Sequence, residues 1–86
     1  GRETMVGISV KFSGKVQEYA QEAQFRVEEL QPLDVSALLK IVVTRFPEID
    51  RITKHLFISI NGKLVTRDHP VHDGDEVTLF FRMGGG

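Results

Sequence analysis

The sequence of 86 residues predicts a two-layer α+β domain, in which one helix lies across one face of a β-sheet. Two observations lead to this prediction. Apolar and polar residues alternate over several short segments, which is typical of half-buried strands. A longer segment, between Asp34 and Pro47, instead repeats its apolar residues at the spacing of a helix face. The predicted element order is strand, strand, helix, strand, short strand, strand.

The first two strands are predicted to form a hairpin. Every second residue of the first strand is apolar: Val6, Ile8, Val10 and Phe12. Ser13-Gly14-Lys15 then interrupts the pattern, because glycine tolerates turn conformations. Alternation resumes in a second strand at Ala23, Phe25 and Val27, and ends at Gln31-Pro32. The residues between the strands, Gln17 to Glu22, are mostly polar, so we expect a long loop there.

The helix is predicted to begin after Asp34 and to end before Pro47. An aspartate at the N-cap can accept a backbone N–H of the first turn. Apolar residues then recur at helical spacing: Val35, Leu38, Leu39, Val42 and Phe46. Phe46 precedes a proline, and a residue in that position is disfavoured from helical conformation.

The second half of the chain predicts three further strands. Leu56, Ile58 and Ile60 alternate, and Asn61-Gly62 separates them from Leu64-Val65. Asn-Gly between apolar runs favours a type I′ hairpin turn, which needs positive φ at both central residues. A turn at Asp73-Gly74 leads to the last strand, with Val77, Leu79 and Phe81 on one face and Thr78, Phe80 and Arg82 on the other.

Composition excludes several classes of protein. Hydrophobic residues make up 41% of the chain and charged residues 27%, so the chain is expected to fold. The net charge is -1 and the basic residues are scattered, so we expect no nucleic-acid partner. No apolar run is long enough to span a membrane, so we expect no membrane partner. The sequence has no cysteine, which suits a cytoplasmic location.

The C-terminal residues carry a resemblance to a known family. The stretch from His69 to Gly86 reads HPVHDGDEVTLFFRMGGG, which combines His-Pro, Gly-Asp-Glu-Val, an aromatic strand and a closing glycine pair. This pattern resembles the MoaD/ThiS-type ubiquitin-like sulfur carriers, and within them the molybdopterin synthase small subunits. The resemblance implies an α+β β-grasp fold, with a mixed sheet and one main helix packed across one face.

The resemblance also implies a function for the C-terminus. An E1-like adenylating enzyme would activate the terminal carboxylate with ATP and Mg²⁺, and sulfur transfer would then give a thiocarboxylate. Such a chain binds no cofactor itself and is not expected to be catalytic alone. It would donate sulfur to the large subunit of molybdopterin synthase, in molybdenum cofactor biosynthesis. The chemistry is sound, because acyl-adenylation turns a poor electrophile into one that a sulfur nucleophile can attack.

This interpretation assigns roles to the end of the chain. Gly86 would carry the adenylate, the thiocarboxylate or an isopeptide bond. Gly84 and Gly85 would thread into the partner, since glycine lacks the Cβ that a narrow channel excludes. The expected partner contacts are Phe80, Arg82, Met83 and Phe57. We expect residues 1–4 to be tag or processing residues, 5–81 to be the β-grasp domain, and 82–86 to be a flexible tail.

Two other functions are compatible with the same residues. The chain resembles ubiquitin-like modifiers too, and Gly86 would then be joined to lysines of target proteins. Arg82 is more typical of such conjugated relatives. Alternatively, the chain is a β-grasp binding module whose glycine tail is inert. Deleting Gly85-Gly86 separates this last possibility from the first two.

Other polar clusters are expected to be structural. His69 and His72 are three residues apart, but Pro70 prevents the helix that would align them, so we expect no metal site. Asp73, Asp75 and Glu76 do not have the spacing of a calcium loop, and Asp-Gly is ordinary turn chemistry.

Overall fold

The structure is a computed structural model and describes residues 4–81. The predicted roles of residues 1–3 as tag residues, and of 82–86 as a flexible tail, therefore lie outside the described residues. The strands are β1 (Met5–Phe12), β2 (Gln24–Leu30), β3 (Leu33–Asp34), β4 (Leu56–Ile60), β5 (Lys63–Val65), β6 (Pro70–Val71) and β7 (Glu76–Phe81). The helices are α1 (Val16–Ala20) and α2 (Val35–Arg45), and 3-10 turns occupy Pro47–Arg51 and Thr53–His55.

Five strands form one mixed sheet in the order β2-β1-β7-β4-β5. β1 and β7 run parallel, and Val10 of β1 lies beside Val77 of β7. The other neighbours are antiparallel: β1 with β2, β7 with β4, and β4 with β5. The last described strand, β7, therefore lies at the centre of the sheet, between β1 and β4.

One face of the sheet carries the hydrophobic core, as the alternating pattern predicts. The inward residues of β1, β4 and β7 are buried: Val6, Ile8, Val10, Phe12, Leu56, Ile58, Ile60, Val77 and Leu79. They form a single cluster with the predicted apolar face of α2, namely Val35, Leu38, Leu39, Val42 and Phe46. The two-layer α+β arrangement, with one main helix across the sheet, is thus confirmed.

The predicted ends of α2 are confirmed by its caps. A side-chain oxygen of Asp34 accepts the backbone N–H of Ala37 at 2.8 Å, which satisfies a donor of the first turn. At the other end, Phe46 has φ -128° and ψ 78°, outside the helical region. This is the conformation that Pro47 favours in the residue before it.

The predicted Asn-Gly turn joins β4 to β5. Asn61 has φ 51° and Gly62 has φ 86°, so both central residues have the positive φ of a type I′ turn. Gly62 adopts this conformation without a Cβ penalty.

The acidic cluster before β7 is structural, as predicted. Asp73 Oδ1 accepts the backbone N–H of Gly7 at 2.7 Å, and Asp75 Oδ2 accepts that of His72 at 2.8 Å. Asp75 Oδ1 also accepts from the side-chain amide of Asn61 at 3.0 Å. These hydrogen bonds attach the start of β7 to β1 and to the β4–β5 turn.

Two expectations were wrong. The segment Gln17 to Glu22 is not simply a polar loop, because most of it lies in or beside α1. That helix buries Val16 and Ala20, which are four residues apart and so face the same side. The predicted element order also lacks β3 and β6, which pair with each other as a separate two-stranded sheet. Pro70 lies in β6, opposite Asp34.

Within residues 4–81, neither helix has the length and apolar character needed to cross a membrane.

Candidate functional site: the end of the central strand

The central strand β7 ends at Phe81, the last residue that the structure describes. Leu79 lies beside Phe12 of β1, and Phe81 lies opposite Leu56 of β4. The chain therefore leaves the middle of the sheet beside the C-terminal end of β1. The predicted tail residues, Arg82, Met83, Gly84, Gly85 and Gly86, lie outside the described residues.

Phe80 and Phe57 lie together on the sheet face opposite the core. They are directly paired across β7 and β4. Their rings stack with a centroid distance of 5.9 Å and an interplanar angle of 26°. Both side chains are half-buried, since each ring covers part of the other. The structure thus brings together the two aromatic residues that the alternation placed on this face, immediately before the end of β7.

Leu64 adds a third apolar side chain to this face. It lies opposite Ser59, which follows Phe57 by two residues on the same face of β4. Diagonal neighbours of this kind are about 7–8 Å apart in an antiparallel pair. Leu64 is 65% exposed, the largest exposure among the large hydrophobic side chains that the structure describes. We call Phe57, Phe80 and Leu64 the open-face cluster.

The sequence pattern did not assign Leu64 to this cluster. Leu64-Val65 reads as a short apolar run, and nothing in it shows which residue faces outward. The register supplies the answer, because Val65 lies opposite the buried Ile58 and Leu64 therefore faces away from the core.

Polar residues border the open-face cluster. Ser59 and Thr78 are paired next to the two aromatic rings, and both are half-buried. Beyond them, Lys11 Nζ and Glu76 Oε1 form an ion pair at 3.2 Å, with both side chains about half exposed. An apolar centre inside a polar margin is the usual arrangement of a protein-protein contact surface.

The two aromatic residues at the end of β7 face opposite sides of the sheet. Phe80 joins the open-face cluster, whereas Phe81 packs at the edge of the core. The ring of Phe81 meets that of Tyr19, from α1, edge to face, with a centroid distance of 6.2 Å and an interplanar angle of 69°. Sequence reasoning missed Tyr19, because it lies in the segment that was expected to be a polar loop.

The predicted absence of a metal site concerned His69 and His72. Nδ1 of His69 donates to the carbonyl oxygen of Pro70 at 2.8 Å, so this nitrogen is used within the turn. Within residues 4–81, no three His, Cys, Asp or Glu side chains lie close enough to hold a metal ion. The hydrogen bond from the Thr66 hydroxyl lowers the pKa of Asp68.

The topology defines the class of protein. A five-stranded mixed sheet, with parallel first and last strands at its centre and one main helix across one face, is the ubiquitin-like β-grasp fold. Sequence comparison then gives the family. The chain belongs to the ThiS family, whose sequence model matches residues 10–86. The resemblance to MoaD/ThiS-type proteins is therefore confirmed.

Solved structures share this fold. Small archaeal modifier protein 1 of Haloferax volcanii is 23% identical, with a TM-score of 0.83, and the match covers 93% of this chain and 99% of that one. A Pyrococcus furiosus protein assigned as subunit 1 of a molybdopterin converting factor is 21% identical, with a TM-score of 0.81, and the match covers 91% of this chain and 99% of that one. None of the curated proteins compared with the chain matches it significantly in sequence.

One similar structure is a complex. It contains subunits 1 and 2 of the molybdopterin-converting factor from Helicobacter pylori. Its identity to this chain is 22% and its TM-score 0.69, and the match covers 94% of this chain and 100% of that one. At these identities the structures show the shared fold. The family match alone places the chain in the ThiS family.

Proposed function

We propose that the chain is a sulfur carrier whose C-terminal glycine becomes a thiocarboxylate. The observation that carries this proposal is the family match, which runs through β7 and on through Gly85-Gly86. In the proposed reaction, the carboxylate of Gly86 displaces pyrophosphate from ATP and forms an acyl-adenylate. A hydrosulfide-type nucleophile then displaces AMP and leaves a thiocarboxylate. ATP and Mg²⁺ are used by an E1-like activating enzyme, in the cytoplasm.

The fold suits the delivery of a C-terminus to such an enzyme. Residues 82–86 would reach at most about 18 Å beyond Phe81 if fully extended. The body must therefore dock close to the entrance of the partner's active site. The open-face cluster lies at the end of β7, so docking through it would hold the body within that reach. Arg82 and Met83 would contact the partner, and Gly84 and Gly85 would enter its channel.

Among sulfur carriers, we propose the role of molybdopterin synthase small subunit. The similarity to subunit 1 of the Pyrococcus furiosus factor supports this role. The Helicobacter pylori complex supports a large subunit as the partner. In this role the chain supplies sulfur and the large subunit holds the site that uses it, so the chain alone catalyses nothing.

A second candidate function is protein modification through Gly86. The similarity to small archaeal modifier protein 1 favours it. Target-protein lysines would accept the activated carboxylate, and AMP would leave as an isopeptide bond forms. Both functions need the same adenylate, so they differ only in the nucleophile that attacks it.

Intact-mass analysis of the protein from its own cells tests the choice. A sulfur carrier is expected to show replacement of one oxygen by sulfur, located in the C-terminal peptide. A modifier is expected to give conjugates with branched Gly86-lysine peptides after proteolysis. Unmodified protein, without either product, in cells that make molybdenum cofactor would contradict the proposal.

Substitution of Phe80 tests the open-face cluster. We expect Phe80→Ala to raise KM for the activating enzyme by about tenfold to thirtyfold, because a central aromatic contact typically contributes about 1.4–2 kcal/mol to binding. Steady-state pyrophosphate release measures KM, and circular dichroism checks the fold.

Leu30→Ala is the matched control for Phe80→Ala. Leu30, in β2, pairs with Met5 at the start of β1, so its side chain lies on the same sheet face as Phe80. The described pairs of β1 with β7 begin only at Ser9, so Leu30 is distant from the end of β7. It is 38% exposed, and its truncation should leave KM unchanged. Equal effects of the two substitutions would show that docking does not centre on the open-face cluster.

A further inference from the structure

We infer that Tyr19 is a positioning residue for the proposed activation of Gly86, an inference that rests on the proposed function. Tyr19 lies on α1 and packs against the hydrophobic core. It contacts Phe81, where β7 ends. Its proposed role is to fix the position and orientation of Phe81, and so the position from which the chain continues to Arg82.

The helix that carries Tyr19 is attached to the end of the central strands. Val16 is fully buried and Ala20 is 7% exposed, so α1 is anchored in the core at both ends. The side-chain amide of Gln17 donates to the carbonyl of Phe12 at 3.1 Å, at the end of β1. The backbone N–H of Ser13 donates to the carbonyl of Leu79 at 3.0 Å, which extends the pairing of β1 with β7. Tyr19 is thus held on a rigid support beside Phe81.

Phe81 depends on this support. Within the sheet, Leu56 lies opposite it on β4, but the described pairs of β1 with β7 stop at Leu79. The ring of Tyr19, on α1, contacts Phe81 beyond the last described pair of β1 with β7. Edge-to-face aromatic pairs contribute beyond their buried area, so the contact favours one position of the Phe81 ring.

This arrangement assigns partner binding and placement of the Gly86 carboxylate to different side chains. Phe80 and Phe57 face one side of the sheet and would bind the partner, whereas Phe81 and Tyr19 face the other side. Loss of the Tyr19 ring should not affect docking of the partner. It should increase the fraction of time that Phe81 spends outside its position in the structure. A reaction that needs the carboxylate at one place is sensitive to such misplacement. The effect should therefore appear in kcat and not in KM.

The experiment uses the full chain, the E1-like adenylating enzyme of the same organism, and pyrophosphate release as readout. We expect Tyr19→Ala to lower kcat about threefold to tenfold, with KM unchanged. Tyr19→Phe should restore kcat, because the ring edge supplies the contact. Glu18→Ala, an exposed position on the same helix, is the matched control and should behave as the wild type. If Tyr19→Ala lowers the melting temperature strongly, Tyr19→Leu removes the ring but keeps a larger apolar side chain than alanine.

A second readout does not depend on activity. Proton NMR of the Phe81 ring should show a ring-current shift that Tyr19→Phe keeps and that Tyr19→Leu removes. Unchanged kcat in Tyr19→Leu, or a change in KM alone, would overturn the inference while the proposed function stands. A wild-type chain that the enzyme does not adenylate would overturn both.

Discussion

Deletion of Gly85 and Gly86 is expected to abolish adenylation and sulfur transfer completely, while the fold remains intact. The described core ends with β7, and both glycines follow it in the sequence, so we expect the core to remain intact. The truncated chain would still end in a carboxylate, at Gly84, but that group would stop about 7 Å short of the position of the original one. Pyrophosphate release and intact mass measure the loss of activity, and thermal unfolding measures the retained fold.

Two further variants sharpen this test. Removing Gly1 and Arg2 also deletes two residues outside the described part of the chain, at the other end, and should leave activity unchanged. Gly85→Leu keeps the carboxylate of Gly86 in place but adds a side chain, so a narrow channel should reject it. Full adenylation of the chain that lacks Gly85-Gly86 would mean that the tail is inert, and that the chain is a binding module.

Phe12→Ala is expected to lower the free energy of unfolding by about 3–5 kcal/mol, the usual range for a buried phenylalanine. Phe12 is 1% exposed. Its ring meets that of Phe46 edge to face at 5.1 Å, and Phe46 in turn meets Phe25 at 5.0 Å. The guanidinium of Arg45 lies over the Phe46 ring at 4.8 Å. Truncation would therefore open a cavity where the helix and two strands meet.

Urea unfolding followed by circular dichroism measures this effect. Leu64→Ala is the matched control, because it also removes a large apolar side chain but from an exposed position. We expect it to change the free energy of unfolding by less than about 0.5 kcal/mol. Since a small domain has only about 5–15 kcal/mol of stability, Phe12→Leu is the milder variant if Phe12→Ala does not fold. A smaller loss for Phe12→Ala than for Leu64→Ala would contradict the described core.

The features that depend on local chemistry were predictable from the sequence. Asp34 caps α2 because its carboxylate reaches a backbone N–H three residues ahead, and Pro47 ends the helix by acting on its neighbour. Asn61-Gly62 forms the expected turn because both residues tolerate positive φ. Phe80 and Phe81 face opposite sides of the sheet because successive side chains in a strand alternate between its two faces.

The features that depend on distant partners were not predictable in the same way. α1 has only Val16 and Ala20 to mark it as buried, which is too little for a helical period to emerge. β3 and β6 exist because Leu33 and Val71 meet across the fold, and a two-residue strand has no pattern of its own. The outward position of Leu64 and the contact of Tyr19 with Phe81 follow from register and packing, neither of which local spacing encodes.

The parallel pairing of β1 with β7 has a consequence for protein synthesis. The central strand β7 is synthesised after every other described strand, so β1 has no partner on that side until translation has passed Phe81. Chains that terminate before β7 therefore lack the central strand of the sheet, and they cannot fully bury the apolar faces of β1 and β4. Cellular proteases remove chains with such exposed surfaces. A chain can therefore complete its sheet only after β7 has been synthesised, and β7 directly precedes the proposed reactive residues.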